Sequence, residues 1–144
     1  MASLAVAGKG SFFRRWSGAA WVDISEILSI GGPGMSRDVI DVTSLDSVGG
    51  YREFIAGFRD PGTMTLSMIF RRDSFNTMKT DFESDTLQNY ELVLSDAEVT
   101  SFEFEGLVTE LPLTVPSDDK ITMEVTIKIS GEVTVNSGSG SYGV

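Results

Sequence analysis

The sequence predicts a mainly β protein, a β-sandwich or partial barrel with one short α-helix. Several runs alternate apolar and polar residues with the two-residue period of a strand, clusters of glycine and proline separate these runs, and a single segment has helical spacing. With 144 residues, 41% of them hydrophobic and 22% charged, the chain is long enough to bury one core and has the composition of a folded domain.

The first predicted strands precede a firm break in the chain. Residues Ser11–Trp16 and Trp21–Ile30 favour strands, and Ser17–Ala20 between them is typical of a hairpin turn. The break is the glycine- and proline-rich segment Gly31–Gly34, and Met35–Thr43 is the third predicted strand.

The middle of the chain combines a predicted loop, a strand and a helix. Residues 44–61 contain several glycines and no clear periodicity, so they are predicted to form a long loop, and such loops usually have a function. Gly62–Arg71 alternates as a strand does, and residues 74–84 have apolar side chains at helical spacing, with Asp73 or Ser74 as the expected N-cap. Acidic residues near the end of this helix oppose its dipole, so packing rather than charge is expected to hold it.

The last predicted strand has the clearest pattern. After predicted strands at Asn89–Leu94 and Ser101–Leu113, residues 121–135 carry apolar side chains or glycine at odd positions and polar side chains at even positions. Fifteen residues span on the order of 50 Å, whereas a compact monomer of this size is about 37 Å across. Either the strand bends at Gly131 or, as we favour, it extends past its own core and offers an edge to neighbouring subunits.

The chain is predicted to consist of a flexible N-terminal arm at residues 1–10, one β domain at 11–135 and a flexible Gly/Ser-rich tail at 136–144. The short apolar stretch near the N-terminus lacks a preceding basic region, and no stretch reaches membrane-spanning length. We therefore expect no membrane association, and use either in a cytoplasm or in a particle assembled there.

The composition excludes several classes of function. The chain has no cysteine and no histidine, so disulfides, thiol nucleophiles, the commonest general base and the commonest zinc ligand are absent. The net charge of −10 opposes nucleic-acid binding. The sequence predicts no local basic patch to offset it, because basic residues occur singly or in adjacent pairs that would point to opposite faces of a strand. We predict no catalytic residue, metal site or cofactor.

Two acidic motifs are the remaining candidates for chemistry. Glu103 and Glu105 lie on the same face of a predicted strand, as an acid–base pair requires, but we favour the simpler interpretation that they form the polar face of an amphipathic strand. Asp118–Asp119 lacks the spaced oxygen ligands and the glycine of a calcium loop and is predicted to be a solvated turn.

Three segments carry a resemblance to a known family. They are RDVIDVT at Arg37–Thr43, YREFI at Tyr51–Ile55 and GFRDPG at Gly57–Gly62. Together with the order of predicted elements over about residues 12–135, these segments resemble the major tail tube protein of long-tailed (siphovirus-type) bacteriophages. The same fold is shared by tubes of contractile tails, type VI secretion systems and gene transfer agents.

The resemblance implies hexameric rings whose strands join into one continuous barrel around a channel, and which stack head to tail into a tube. It implies a place in the tail of a virion or phage-like particle that is assembled in the cytoplasm of a bacterial host. The implied partners are other copies of the chain, a tape measure protein, a tail terminator and distal tail proteins. DNA would pass through the tube without specific binding.

In this family the long loop makes the contact between rings, so the resemblance implies that role for residues 44–61. The alternative is that Phe54 and Phe58 fold back onto their own core. The expected inter-ring residues combine apolar anchors with polar partners: Tyr51, Arg52, Glu53, Phe54, Phe58, Arg59 and Asp60.

The polar face of the barrel strands is expected to line the channel. Acidic and small hydroxyl side chains repel a phosphate backbone, whereas lysine and arginine bind it. A competing interpretation pairs some of the carboxylates with Arg37 or Lys128 across subunit seams. The expected lumen residues, five acidic and one basic among them, are Asp41, Thr43, Thr63, Thr65, Ser67, Glu103, Glu105, Glu124, Thr126, Lys128 and Glu132.

Three other interpretations stay open at this point. The runner-up is another tail protein, a head–tail accessory protein or a secretion-tube protein. A small-ligand-binding β-barrel would require an apolar pocket inside one monomer. A hydrolase would use the two carboxylates of Glu103 and Glu105.

Overall fold

The computed structural model of the chain describes residues 11–24, 27–94 and 100–137, and within them it has ten strands and one α-helix. A single 3-10 turn lies at Val48–Gly50. In chain order the elements are β1 Phe12–Trp16, β2 Trp21–Ile24, β3 Ile27–Gly31, β4 Ser36–Asp41, β5 Phe54–Asp60, β6 Thr63–Ile69, α1 Arg72–Glu83, β7 Gln88–Val93, β8 Thr100–Glu110, β9 Leu113–Thr114 and β10 Thr122–Ser137.

Eight of the strands form one antiparallel sheet, which confirms the predicted mainly β class with one helix. Seven strands follow the order β2-β1-β7-β8-β10-β6-β3, and β9 is the eighth strand, paired with β10. Strands β4 and β5 pair only with each other and form a separate hairpin. The sheet is partial rather than a closed barrel, because β2 and β3 are its two edges.

The two edge strands, β2 and β3, follow each other closely in the chain. Strand β2 ends at Ile24 and β3 begins at Ile27, and three Cα–Cα steps of 3.8 Å span at most about 11 Å. The sheet must therefore roll so that the end of one edge strand lies near the start of the other. The single strand predicted at Trp21–Ile30 is wrong in this respect, because the chain leaves β1 at Ile24 and pairs with β6 from Ile27 onward.

The core lies inside this roll. Alternate residues of β6 and β10 are buried, and their cross-strand pairing places them on one face. Aromatic rings of Phe13, Tyr90 and Phe104 add a cluster with centroids 5.5 to 6.3 Å apart. The alternation predicted for both strands is confirmed by the buried residues Met64, Leu66, Met68, Met123, Val125, Ile127 and Ile129.

Strand β10 both bends and extends beyond its neighbour. Its register with β8 shifts between Ser130 and Thr134, where Gly131 adopts a left-handed φ of 80° that a glycine reaches without strain. Strand β6 accompanies β10 only as far as Lys128. Beyond Ser130, β10 therefore pairs with β8 alone among the described residues. The irregularity at Gly131 agrees with the bend considered for this strand, whereas Val133 beyond it still packs against the core.

Strand β10 also includes Asn136 and Ser137, which were predicted to begin the flexible tail. The rest of that tail, residues 138–144, and the predicted N-terminal arm, residues 1–10, lie outside the described residues.

Helix α1 packs on the core face of the sheet. It begins at Arg72, and its N-cap residue is Arg71, which makes no side-chain capping bond, so the cap predicted at Asp73 or Ser74 is wrong. Met78 is fully buried, and the Phe75 ring lies 5.6 Å from that of Phe70.

A buried ion pair holds the end of α1. Asp81, only 1% exposed, accepts hydrogen bonds from Arg15 Nε at 2.7 Å, from Arg15 Nη2 at 2.6 Å and from the Tyr90 hydroxyl at 2.8 Å. Burial, reinforced by Asp81, raises the pKa of Tyr90, and the hydrogen bond to Asp81 raises the pKa of Arg15. This end of the helix therefore has a buried ion pair in addition to the packing expected to hold it.

Candidate functional site

The first candidate surface is the hairpin β4–β5. Residues Phe54–Asp60, predicted to be loop, form strand β5 and pair with β4. The prediction failed because both faces of this hairpin are largely exposed, so no buried face imposes a two-residue hydrophobic period on it. The hairpin tip, residues 42–53, contains the part of the predicted loop that precedes β5, together with the last two residues of the predicted third strand.

The hairpin exposes an unusual amount of apolar surface. Phe58 is 91% exposed and Phe54 is 53% exposed, so neither folds back onto its own core. This concentration of exposed apolar side chains in one hairpin is typical of an interaction site. Other exposed apolar side chains of the hairpin are Met35, Val39, Ile40, Val42, Leu45, Val48, Tyr51 and Ile55.

The hairpin tip is held by its own polar groups. Asp41 accepts hydrogen bonds from the Thr43 N–H at 2.8 Å and from Arg52 Nη1 at 3.1 Å. Hydrogen bonding to the Thr43 side chain, followed by the bonds from the Thr43 N–H and from Arg52, lowers the pKa of Asp41. The Thr43 hydroxyl accepts the Glu53 N–H at 2.8 Å, and the Val42 N–H bonds to the Glu53 carbonyl at 2.9 Å. The base of the tip is thus pre-formed before any partner binds.

This geometry changes the assignment of two residues predicted to line the lumen. Asp41 ends β4 and Thr43 lies in the tip, so the structure groups both with the hairpin rather than with the main sheet. Four of the residues predicted for inter-ring contact, Phe54, Phe58, Arg59 and Asp60, lie in β5, and the other three, Tyr51, Arg52 and Glu53, lie in the tip.

The second candidate surface is the sheet face opposite the core, here called the polar face. It gathers seven of the predicted lumen residues on β6, β8 and β10. Their cross-strand partners are Thr63 with Lys128, Thr65 with Thr126, Ser67 with Glu124, and Glu105 with Ser130.

Two further predicted lumen residues differ from each other in exposure to solvent. Glu103 lies on the same strand as Glu105 but is only 8% exposed, opposite the fully buried Glu91. Glu91 in turn lies 3.5 Å from Arg14 Nη1. Glu132 is exposed within the β10 bulge. Glu103 is therefore a weak candidate for contact with a lumen, whereas Glu132 remains available.

One acidic residue of the polar face was missed. Glu110 is exposed and lies opposite Thr126, because a register shift between Thr126 and Ile127 places one extra residue in β8. Counting alternate positions from Glu105 assigns Glu110 to the core side. A sequence pattern carries no signal for such a bulge.

The exposed charges of the polar face are mainly acidic. Lys128 is occupied within its own subunit, since its Nζ lies 3.0 Å from Asp60 Oδ1. Hydrogen bonds from the Gly62 N–H and from Lys128 lower the pKa of Asp60. The exposed carboxylates of Glu105, Glu110 and Glu124 are left without a described ion-pair partner, so the face repels anions.

Neither surface has the features of a catalytic or metal site. The described residues include no group of three or more acidic, histidine or cysteine side chains that could hold a metal ion. Asp119 bonds to the Lys120 N–H in an exposed turn. Across the described part of the chain, no helix combines the length and hydrophobicity needed to cross a bilayer.

Comparison with known proteins identifies one family and several similar folds. Residues 6–136 match the family model described as lambda phage tail tube protein, TTP. None of the curated proteins matches the chain. The fold is similar to a chain from the tail of an empty gene transfer agent particle, with 18% identity, a TM-score of 0.75, and coverage of 92% of this chain and 99% of that chain.

Two other solved structures are similar at lower identity. A chain of the sheath–tube complex of the PVC extracellular contractile injection system has 12% identity and a TM-score of 0.71, covering 92% of both chains. The SPP1 tail tube has 7% identity and a TM-score of 0.71, covering 95% of this chain and 82% of that chain.

Proposed function

The chain belongs to the lambda phage tail tube protein family, a structural and not an enzymatic family, and from that premise we propose that it forms hexameric rings that stack into a hollow tube with an acidic lumen for DNA. The observation that carries this proposal is a partial, rolled sheet with free edges combined with an exposed apolar hairpin. A monomer with both features exposes unpaired backbone groups at its sheet edges and apolar side chains on its hairpin.

Ring formation would provide strand partners for the free edges of the sheet. Strands β2 and β3, and β10 beyond Ser130, each have a side without a described strand partner. Pairing such edges between neighbouring copies around a closed ring removes them from solvent. The gene transfer agent tail whose fold resembles this chain has C6 symmetry, which supports six copies per ring.

Ring stacking would bury the hairpin. Its apolar side chains have no described site on their own subunit to cover them, and the hydrogen-bonded base of the tip lowers the entropy lost on binding. A head-to-tail contact of this kind is heterologous and continues indefinitely, as a tube requires. A tape measure protein, a terminator and distal tail proteins are the partners expected at its ends and in its lumen.

The rival ligand-binding barrel is not favoured. The interior of the roll is filled by side chains, among them the fully buried Met64, Leu66 and Val125, which leave no place for a ligand between β6 and β10. The hydrolase alternative loses its pair of carboxylates, because Glu103 is buried while Glu105 is exposed.

Electron microscopy of the purified protein in negative stain tests the proposal directly. At high protein concentration we expect hollow tubes of uniform diameter with a repeating ring. A population that remains monomeric at every concentration, or that binds a small ligand as a monomer, would refute tube formation.

The polar face supplies the test of the lumen. Replacing both Glu105 and Glu124 by lysine is expected to leave tubes intact but to reduce DNA delivery by particles at least tenfold, since a basic wall binds phosphates and slows transit. The matched control replaces Asp85 and Asp118, both exposed and off this face, by lysine, which makes the same change in charge.

DNA delivery by the two sets of particles separates the interpretations. Normal delivery with the lysine wall would refute an acidic lumen. Failure of the Glu105 and Glu124 variant to assemble would instead favour carboxylates that pair across subunit seams. Glu103 is left unchanged in this test, because a lysine at its buried position would perturb folding.

A further inference from the structure

Two arginines of the hairpin stand apart from the other basic residues. Of the ten lysines and arginines in the described ranges, seven form ion pairs with described carboxylates. The three that form none are Arg37, Arg59 and Arg72. Arg72 is alone at the start of α1, whereas Arg37 and Arg59 are direct cross-strand partners in the hairpin.

This pairing is unfavourable for an isolated subunit. Directly opposed residues of an antiparallel pair have Cβ atoms about 5 Å apart, and like charges at that distance destabilise the pair. Asp60, which follows Arg59, is engaged by Lys128 and by the Gly62 N–H. Asp38, which follows Arg37, forms no ion pair with either arginine. Nothing described within the subunit therefore neutralises the two guanidinium groups.

The pair lines an open groove at the base of the hairpin. The groove has a volume of about 770 Å³ and runs between the hairpin and the β10 bulge at Gly131–Val133. Met35 and Phe58, both largely exposed, line it beside the arginines. Glu132 lies on the bulge wall but forms no ion pair with either arginine.

We propose that Arg37 and Arg59 form a clamp that binds carboxylates on a second copy of this chain during assembly. The proposal rests on the proposed tube function. Guanidinium groups pair with carboxylates in a bidentate geometry, and the neighbouring apolar side chains exclude water from such a contact.

The charge of the chain favours a second copy as the partner. Each subunit carries a net charge of −10, so approaching subunits repel one another. A local basic pair that meets an acidic surface offsets this repulsion and orients the contact. Every copy carries exposed carboxylates without a described ion-pair partner, such as Asp46 and Glu53 of the hairpin tip, which makes the chain complementary to itself.

The test compares three variants with the wild type. The variant Arg37→Gln with Arg59→Gln removes both charges, Arg37→Lys with Arg59→Lys keeps them without the planar fork, and Arg72→Gln removes the third unpaired arginine as a matched control. The measurement is the subunit concentration at half-maximal tube assembly, by sedimentation, from about 50 mM to about 500 mM salt.

We expect the double glutamine variant to require roughly tenfold more protein at low salt, which corresponds to one lost charge pair of moderate strength. That difference should shrink at high salt, because screening weakens the clamp in the wild type. The double lysine variant should fall between the two, and Arg72→Gln should match the wild type. No variant should melt below the wild-type temperature, since both clamp residues are exposed and their mutual repulsion opposes folding.

Three results would overturn the clamp. One is wild-type assembly by the double glutamine variant. Another is equal impairment by Arg72→Gln, which would show that only net charge matters. A third is unchanged assembly with loss of binding to a DNA fragment, which would make the pair a phosphate site. Absence of tubes from the wild type would instead refute the proposed function, and the clamp with it.

Discussion

Replacing Thr43–Arg52 by the dipeptide Asn-Gly is expected to abolish tube formation while leaving the subunit folded. The Val42 N–H bonds to the Glu53 carbonyl, so these two residues continue the hairpin register and a two-residue turn can close it between them. The deletion removes the exposed Leu45, Val48 and Tyr51. At roughly 2 kcal/mol for each anchor, the loss weakens a ring-to-ring contact on the order of 10⁴-fold.

The control keeps the length of the hairpin. Changing Leu45, Val48 and Tyr51 to serine removes the same apolar surface from an intact tip, and we expect the same loss of tubes. Circular dichroism and thermal melting should be close to wild type for both variants, because residues of the tip lie outside the core. Tubes of normal length from the deletion variant would show that the tip has no role in stacking.

The largest expected effect on stability belongs to Asp81→Asn. The substitution keeps the shape of the side chain but leaves Arg15, whose side chain is 20% exposed, without its charge partner. Breaking a buried ion pair on one side costs about 3–5 kcal/mol, which in a domain of this size lowers the melting temperature by roughly 10 °C. Urea and thermal unfolding followed by circular dichroism measure both quantities.

Two neighbouring substitutions calibrate that result. Tyr90→Phe removes one of the hydrogen bonds to Asp81 and should cost about 1 kcal/mol. Glu83→Gln breaks the exposed pair with Lys79 on the same helix and should change stability by less than about 0.5 kcal/mol. If Asp81→Asn is no more harmful than Glu83→Gln, the buried pair does not hold the helix.

The strands that cover the core are predictable from the sequence because burial on one face imposes a strict alternation. Met123, Val125 and Ile127 show it on β10, and Met64 and Leu66 show it on β6. The helix follows for the same reason, with Met78 at the centre of its buried face. Wherever one face of a strand or helix packs against the core, the spacing of its hydrophobic residues predicts the type of element.

The hairpin and the change of strand partner are not predictable in this way. Phe54–Asp60 has no buried face while the subunit is alone, so its sequence reflects a partner that local patterns do not reveal. Trp21–Ile24 and Ile27–Gly31 are both extended, and only pairing with distant strands separates them. The local propensity to form a strand is the same before and after this change of pairing partner.

The residues of the candidate surfaces are likewise predictable only in part. The polar residues of β6 and β10 are found by counting alternate positions, but the bulge that exposes Glu110 and the burial of Glu103 depend on register and on cross-strand neighbours. The pair of Arg37 and Arg59 is visible only once β4 and β5 are aligned, because the two residues are far apart in the chain.

The position of β10 has a consequence for synthesis on the ribosome. Strand β10 lies between β8 and β6, and β9 pairs with β10. Until residues 122–137 have been translated, β2-β1-β7-β8 and β6-β3 are two fragments without a shared strand, although the hairpin that seeks other copies has already emerged. Pairings this distant form slowly. We therefore expect tube growth to accept only subunits in which β10 has been completed and inserted, so that a nascent chain cannot terminate a growing tube.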